Sequence, residues 1–364
     1  MEIIQKILKD KFAFTALIVL MILYVVILFA DFIAPYSSTY SNRDMSYAPP
    51  SQIYMITEEG KWSLPYTYNY IREYEPALMQ TIYKQDRGVK YYIKPFVKGE
   101  KYKLLCIIPC DRHLFGGVNK GVNNEVNNGV KCEFHPLGTD INGRDVFSRL
   151  LFGGRISMTI GFLSLFIVFP IGLLYGGISG YFGGILDTLM MRFAEAIMAI
   201  PSFYLLIILA AILPSGMTSV QRFCLIVVIL ALIGWAGFAR VVRGMVLSIK
   251  NEEFVQAAKT MGASNLRIIL KHILPQTTSY VIIAMTLSVP SYILAESGLS
   301  FLGLGIQQPD ASWGNMLKEA QEFTNILYRP WLLTPGFLIF IAVLSFNLLG
   351  DAIRDFLDPK SQSK

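Results

Sequence analysis

The sequence predicts an all-α polytopic membrane protein of six transmembrane helices, with a partly β segment inserted between the first two. Three observations carry this. Of 364 residues, 53% are hydrophobic and only 16% charged, less charge than a soluble domain of this length carries. The apolar residues fall in blocks long enough to supply the ~20 residues that cross ~30 Å of hydrocarbon, and the mean hydropathy is +0.47. One long interruption, residues 35–150, is polar and rich in tyrosine.

The N-terminus places Lys6, Lys9 and Lys11 before an apolar run from Phe12 to Ala30. That run exceeds the 7–15 residues of a signal-peptide core, and no small-x-small cleavage site follows. It reads as an uncleaved first span. The six expected spans are residues 12–33, 156–178, 187–213, 223–245, 277–297 and 331–350. Each is read as a helix, because backbone groups in lipid must be satisfied within the segment. Pro201 is expected to kink the third span.

Orientation follows from the Lys/Arg bias of the connections. The N-terminus, the loop between spans four and five (Arg240, Arg243, Lys250, Lys259, Arg267, Lys271) and the tail (Arg354, Lys360, Lys364) share one side when the count is six. That side is expected to be cytoplasmic, with both termini there. Arg144, Arg149 and Arg155 at the start of span two pull the other way. The same bias accounts for the net charge of +6, so nucleic acid is not an expected partner.

Residues 1–34 then form a cytoplasmic segment and the first span. Residues 35–150 form an extracytoplasmic segment with a small inserted domain at about 51–135. Residues 151–364 form the core with spans two to six, the loop 240–275 and a cytoplasmic tail. In the insertion, two β-prone runs, Val89–Val97 and Lys101–Ile108, flank Lys98-Gly99-Glu100 and predict a hairpin turning at Gly99. Gly116–Gly129 predicts a loop. Cys106, Cys110 and Cys132 lie here, and Cys110–Cys132 is the expected disulfide. Cys110, His113, Cys132 and His135 are metal-ligand types, but their spacing matches no zinc pattern, so no metal is expected.

The loop after span four is the most informative stretch. Glu252 and Glu253 open a short helix where its positive end favours acids. Gly262 is a natural stop. Asn265 is placed to cap a second helix with Leu266, Ile269, Leu270 and Ile273 on one face, and Pro275 is expected to break it before the next span. By composition alone this is an amphipathic connector on lipid headgroups. Its residue pattern resembles the EAA loop of ABC importer permeases. Ala257, Ala258, Gly262, Leu274 and Pro275 fall in register, while Gln256 replaces the family's Glu and His272 an Ile. The resemblance implies a coupling helix, with Glu253, Gln256, Ala257, Ala258, Gly262, Leu274 and Pro275 as ATPase-coupling residues.

Further stretches narrow the resemblance: Leu137–Arg149, Gly153-Gly154-Arg155-Ile156-Ser157, Glu296–Gly305, Ser312–Leu317 and Asn347–Pro359. Together they look like the second permease subunit of binding-protein-dependent dipeptide/oligopeptide (nickel) importers, closely over 136–360 and loosely over 1–50. The resemblance implies the type I ABC importer permease fold in a bacterial cytoplasmic (inner) membrane. It implies three kinds of partner besides lipid: a second permease, two ABC ATPases and an extracytoplasmic peptide-binding protein. Asp140, Gly143, Arg144, Asp145, Arg155, Glu296, Gly303, Gly305 and Trp313 are candidates for gating or for contact with the binding protein. Gly303 and Gly305 fit equally a bend back into the membrane and a tight external turn. Arg192 and Glu195, three apart on a helix, are an expected ion pair within a span.

The sequence has no Gly-x-x-x-x-Gly-Lys-Ser/Thr loop. The expected chain is therefore no enzyme and binds no cofactor, with ATP and Mg held by the ATPase partners. A secondary transporter would show midplane charges and inverted repeats, and few such charges and no clear repeat are found. An embedded enzyme would need a nucleophile–base pair inside the spans.

Overall fold

The computed structural model describes residues 10–57, 60–76, 80–104, 107–119, 132–214 and 216–357. Lys6, Lys9, Cys106, residues 120–129 of the expected loop, Pro359, Lys360 and Lys364 lie outside them.

Helix α1, Lys11–Leu28, is mean-apolar on all sides, as a lipid-facing helix must be, and Asp10 accepts from the Phe12 amide at its start. A short α2, Ala30–Ile33, follows. Strands β1 Tyr54–Ile56, β2 Trp62–Glu75, β3 Gln80–Leu104 and β4 Ile108–Asn119 form one antiparallel sheet in chain order. Its tyrosines explain part of its stability: Tyr66 and Tyr91 are buried, and Tyr66 packs on Tyr54, Tyr68 and Tyr92 with ring centroids 5.6–6.0 Å apart.

The expected turn at Gly99 is corrected. Strand β3 runs straight through it, and the register shift between Lys98 and Tyr102 marks a bulge instead. The reason is packing: a side chain on Gly99 would collide with the His113 ring on β4. A glycine inside a strand often marks such a bulge or close approach rather than a turn. Gly116 and Gly117, expected to begin a loop, are still within β4.

Helix α3, Val146–Phe182, begins ten residues before the expected second span. Asp145 sets that start, its carboxylate accepting from the Ser148 amide at 2.7 Å and hydroxyl at 2.6 Å. Helices α4 Gly184–Ala199 and α5 Ser202–Ala211 are bent by 79° at Ile200-Pro201, which is the kink expected of Pro201. Then come α6 Ser219–Ile249, α7 Glu253–Thr260, α8 Asn265–Arg267, α9 Thr278–Phe301, α10 Trp313–Leu317, α11 Phe323–Tyr328 and α12 Thr334–Leu357. Among the described residues five helices are long and apolar enough to cross a membrane, six when the bent pair counts as one.

The described residues divide into two compact units. One holds 10–20, Ser157–Gly305 and 339–357; the other holds Met21–Ile156 and Ile306–Leu338. In the first, a stripe of small residues on α3 sets the packing. Side chains at Gly172, Gly176 and Gly180 would press on the backbone of α6 at Trp235, Ala239 and Arg243. The four-residue spacing keeps all three on one face, so the two helix backbones approach closely. In the second unit, Ala30, Ala34 and Leu151 form a small core between α2 and the start of α3.

Candidate functional site

The loop after α6 folds as the residue pattern requires. Helix α7 turns Val255 and Ala258 inward, both buried, and leaves Glu253, Gln256, Ala257 and Lys259 exposed. It ends at Gly262, whose φ of +79° is the left-handed conformation that L side chains resist. Two hydrogen bonds close the end: Gly262 N–H donates to Lys259 C=O at 2.9 Å, and Ala263 N–H to Ala258 C=O at 3.1 Å. This is the Schellman pattern. A Cβ at Gly262 would meet nothing within 4 Å, so the space beside it is open.

The exposed side of this element is unusually apolar for a loop. Phe254, Met261 and Leu266 stand in the open, Met261 at 79%. The underside is braced. The Gln256 side-chain amide donates to Lys250 C=O at 3.2 Å, and the Lys250 ammonium to Gly180 C=O at 2.9 Å. Lys259 lies over the Tyr181 ring, whose hydroxyl donates to Asn265 at 2.9 Å. Helix α7 is thus fastened to the ends of both α3 and α6.

The second half of the loop departs from its expected face. Ser264, not Asn265, precedes α8, and Ile268, Ile269 and Ile273 are buried while Leu266 and Leu270 are exposed. The cause is a π turn at Ile268–Ile273, which widens the helix and shifts the phase of its apolar face. A 3₁₀ turn, Leu274–Thr277, holds Pro275 and leads without a break into α9. Pro275 therefore does not end the helix; the wide turn before it absorbs the missing N–H. Leu274 packs at Gly177 of α3.

A polar tie beneath this surface was not legible beforehand. Arg243 on α6 donates to Asp187 on α4 through two bonds, at 3.0 and 2.5 Å, and Ser179 on α3 donates to the same carboxylate. It joins three helices at one point. Asp187 is one of two acids within the expected third span, beside Glu195, and its charge there is the one signal that could have marked it. Arg192 and Glu195 do pair, at 3.0 Å, on the outer surface of α4, where the Arg side chain is 77% exposed.

The remaining candidates separate into frameworks. Asp140 accepts from Arg144 Nε at 2.6 Å; Arg149 and Glu319 complete the cluster at 3.5 and 3.7 Å. Burial pushes the Glu319 carboxyl up to about 7, and the neighbouring Asp140 charge adds to it. Asp145, besides capping α3, faces His135 at 3.1 Å, and Glu133 faces the other ring nitrogen at 3.1 Å. Burial works against a charged His135, yet the bonds to Asp145 and Glu133 outweigh it and hold its pKa at about 9. Asp140, Gly143, Arg144 and Asp145 are all buried, so as a direct contact surface they are corrected; Ile141 is the exposed residue of that loop. Gly143 is obligatory there, since a side chain would occupy the Asn42 carbonyl.

Arg155 donates to the last carbonyls of α1, Ile27 and Leu28, both at 3.0 Å, and pairs with Asp31 at 2.6 Å. Trp313 is fully buried, its indole N–H donating to Leu150 C=O at 2.9 Å. Glu296, fully buried in α9, accepts from Ser157 at 2.9 Å and Ser300 at 2.6 Å. Gly303, at φ +79°, ends α9 with the bond pattern seen at Gly262, and Gly305 folds back against Ser300. The two glycines thus make a tight turn at the end of α9. Cys110 and Cys132 are free thiols, so the expected disulfide is corrected: Cys110 pairs with Tyr102 across the sheet, while Cys132 lies beside Gly117. Seven residues of strand, ~23 Å, separate those positions. Among the described residues no cluster suits a metal.

Residues 170–363 match the family described as binding-protein-dependent transport system inner membrane component. Residues 1–50 match the N-terminal TM domain of oligopeptide transport permease C. Neither match reaches residues 51–169. The chain is 47% identical over 228 residues to the dipeptide transport system permease protein DppC of Bacillus subtilis, covering 62% of this chain and 69% of that protein. It is 44% identical over 230 residues to the oligopeptide transport system permease protein OppC of Haemophilus influenzae, covering 63% and 71%. It is 40% identical over 238 residues to the glutathione transport system permease protein GsiD of Escherichia coli, covering 65% and 76%.

Proposed function

Because the chain belongs to the family of binding-protein-dependent transport system inner membrane components, we propose that it is a permease subunit of an ATP-driven importer of di- and oligopeptides. The observation that carries this is the folded loop: α7 presents Gln256, Ala257, Met261 and Gly262 outward on a braced support. The relatives' names refer to dipeptide, oligopeptide and glutathione, which share amide chemistry. That supports peptide over nickel as cargo.

In this reading two ABC ATPase subunits, which hold ATP and Mg, press on α7 from the cytoplasm. The exposed Phe254, Met261 and Leu266 suit an apolar groove on such a partner, and the small side chain of Ala257 allows close approach. Because α7 is fastened to α3 and α6, a push on it moves those helices as a body. A second permease covers α4 and α5, where Ile185 and Leu189 stand exposed on the helix that carries the Arg192–Glu195 pair and Ile208 and Ile212 on α5. A pair facing bare lipid would be costly, so a protein neighbour there is the better solution. A binding protein delivers the peptide on the opposite side. Both termini and α7 are cytoplasmic.

The test is site-directed cross-linking. Lys259→Cys in inverted vesicles should react with a membrane-impermeant maleimide and cross-link to a co-expressed P-loop ATPase. Labelling only from the outside of whole cells would overturn the orientation and, with it, the docking.

A further inference from the structure

We propose that the β3–β4 hairpin is a membrane anchor: its tip enters the lipid headgroup region beside the Ala34 end of the first span. Lys101 and Lys103 would meet anionic lipid phosphates, and Tyr102, Leu104, Ile107 and Ile108 the acyl boundary. The proposal rests on α1 as a membrane span and not on the transport reading.

The level of the hairpin can be read from its contacts with the helices. Helix α1 has 18 residues, and at ~1.5 Å each it spans ~27 Å, close to the hydrocarbon thickness. The hydrocarbon edge therefore falls near Leu28. Just past it the Asp31–Arg155 pair, 2.6 Å apart, marks the polar boundary. On β4, Phe115 packs against Phe147 at the start of α3, with ring centroids 5.9 Å apart. Two residues towards the tip, the His113 ring nitrogen Nδ1 bonds Ala34 C=O at 2.6 Å. Phe96 lies beside Phe32 at 6.1 Å. Further along, Tyr102 is opposite Cys110 in the register. Its hydroxyl donates to Arg112 C=O at 2.6 Å and its ring lies 5.0 Å from the His113 ring, so the phenol covers the strand just beyond Ala34. The contacts thus step from Phe147 to Ala34 and Phe32, towards the bilayer. Leu104 and Ile108 lie two residues beyond Tyr102, ~7 Å more along the strand, at or below the boundary.

The chemistry of the tip suits that level. Alternation puts Tyr102 and Leu104 on one face with their partners Cys110 and Ile108, and Lys101 and Lys103 on the other. Ile107 is 79% exposed and Ile108 53% exposed. An apolar face with an interfacial tyrosine, backed by lysines, is the composition of a segment lying in a lipid interface. Charge complementarity selects anionic lipid, since Lys101, Lys103 and Arg112 are exposed.

The test uses the full chain in lipid nanodiscs, with the native cysteines replaced by alanine and an environment-sensitive fluorophore on Ile107→Cys or, independently, Ile108→Cys. Trp62→Cys, on β2 and 82% exposed, is the reference. A nitroxide lipid labelled near the headgroup should quench the tip ~2-fold or more above the reference, as a probe ~5–10 Å into the interface would be, and aqueous iodide should show the reverse. The nitroxide difference should grow with phosphatidylglycerol content and fall in Lys101→Gln/Lys103→Gln. Iodide quenching equal to the reference, or protection from both quenchers, would overturn the anchor. Insensitivity to phosphatidylglycerol would overturn the phosphate contact.

Discussion

The Gln256 side-chain amide donates to the Lys250 carbonyl across 3.2 Å, fastening the outward helix α7 to the end of α6. The resemblance leads one to expect a glutamate there, and a glutamate could not make this bond. A carboxylate has no N–H and would face a carbonyl oxygen. The departure from the family pattern is therefore a local fit and not a loss. Gln256→Glu is expected to weaken the tie by about 1 kcal/mol, the net worth of an ordinary hydrogen bond. Hydrogen exchange of the α7 amides should speed up, with the spans unchanged; identical exchange would show that the bond contributes nothing.

Gly262 separates strain from docking. Its space is open, so Gly262→Asn, which tolerates the left-handed conformation, should keep ATPase association. Gly262→Trp should pay about 1–2 kcal/mol of local backbone strain, insert normally in the membrane, and lose ATPase association and transport. Full transport in Gly262→Trp would count strongly against docking at this surface.

The Arg243–Asp187 tie joins three helices where the side chains are 34% and 10% exposed. Loss of one partner from a buried pair costs 3–5 kcal/mol; partial exposure lowers this to roughly 1–3 kcal/mol. Asp187→Asn should lower the thermal midpoint in detergent. The double variant Asp187→Arg/Arg243→Asp should recover part of that loss, and no recovery would mean that the pair acts through other contacts.

The unit containing His135 should lose stability in alkali. Its pKa is raised from 6.5 to about 9, so its contribution is complete below pH 6.5 and is lost as pH rises through 9. Glu319, raised from 4.5 to about 7, has the same sign over a lower window: its contribution is complete below pH 4.5 and lost through 7. The thermal midpoint of this unit, followed in detergent, should fall between these limits. His135→Gln should flatten the upper part of the slope and Glu319→Gln the lower. A midpoint independent of pH in both variants and parent would contradict the assignment.

How much of this was legible beforehand depended on whether the physics was local. Apolar block length located the spans, and Pro201 located the 79° bend, because both act through neighbouring residues. The α7 stop was legible for the same reason, since glycine adopts φ +79° at no steric cost. The turn at Gly99 was misread because the local signal of a strand glycine is ambiguous; the His113 ring that explains it sits on another strand. The buried face of Ile268–Ile273 was misread because a π turn changes the helical period. Asp187 and Arg243, far apart in the chain, carried no spacing to notice.

Reconstitution tests the central claim most directly. Proteoliposomes holding this chain, its companion permease, the ATPases and the binding protein should take up a labelled tripeptide only with ATP, and lose that uptake in Gly262→Trp. Uptake by this chain alone, driven by an ion gradient and indifferent to ATP, would contradict it.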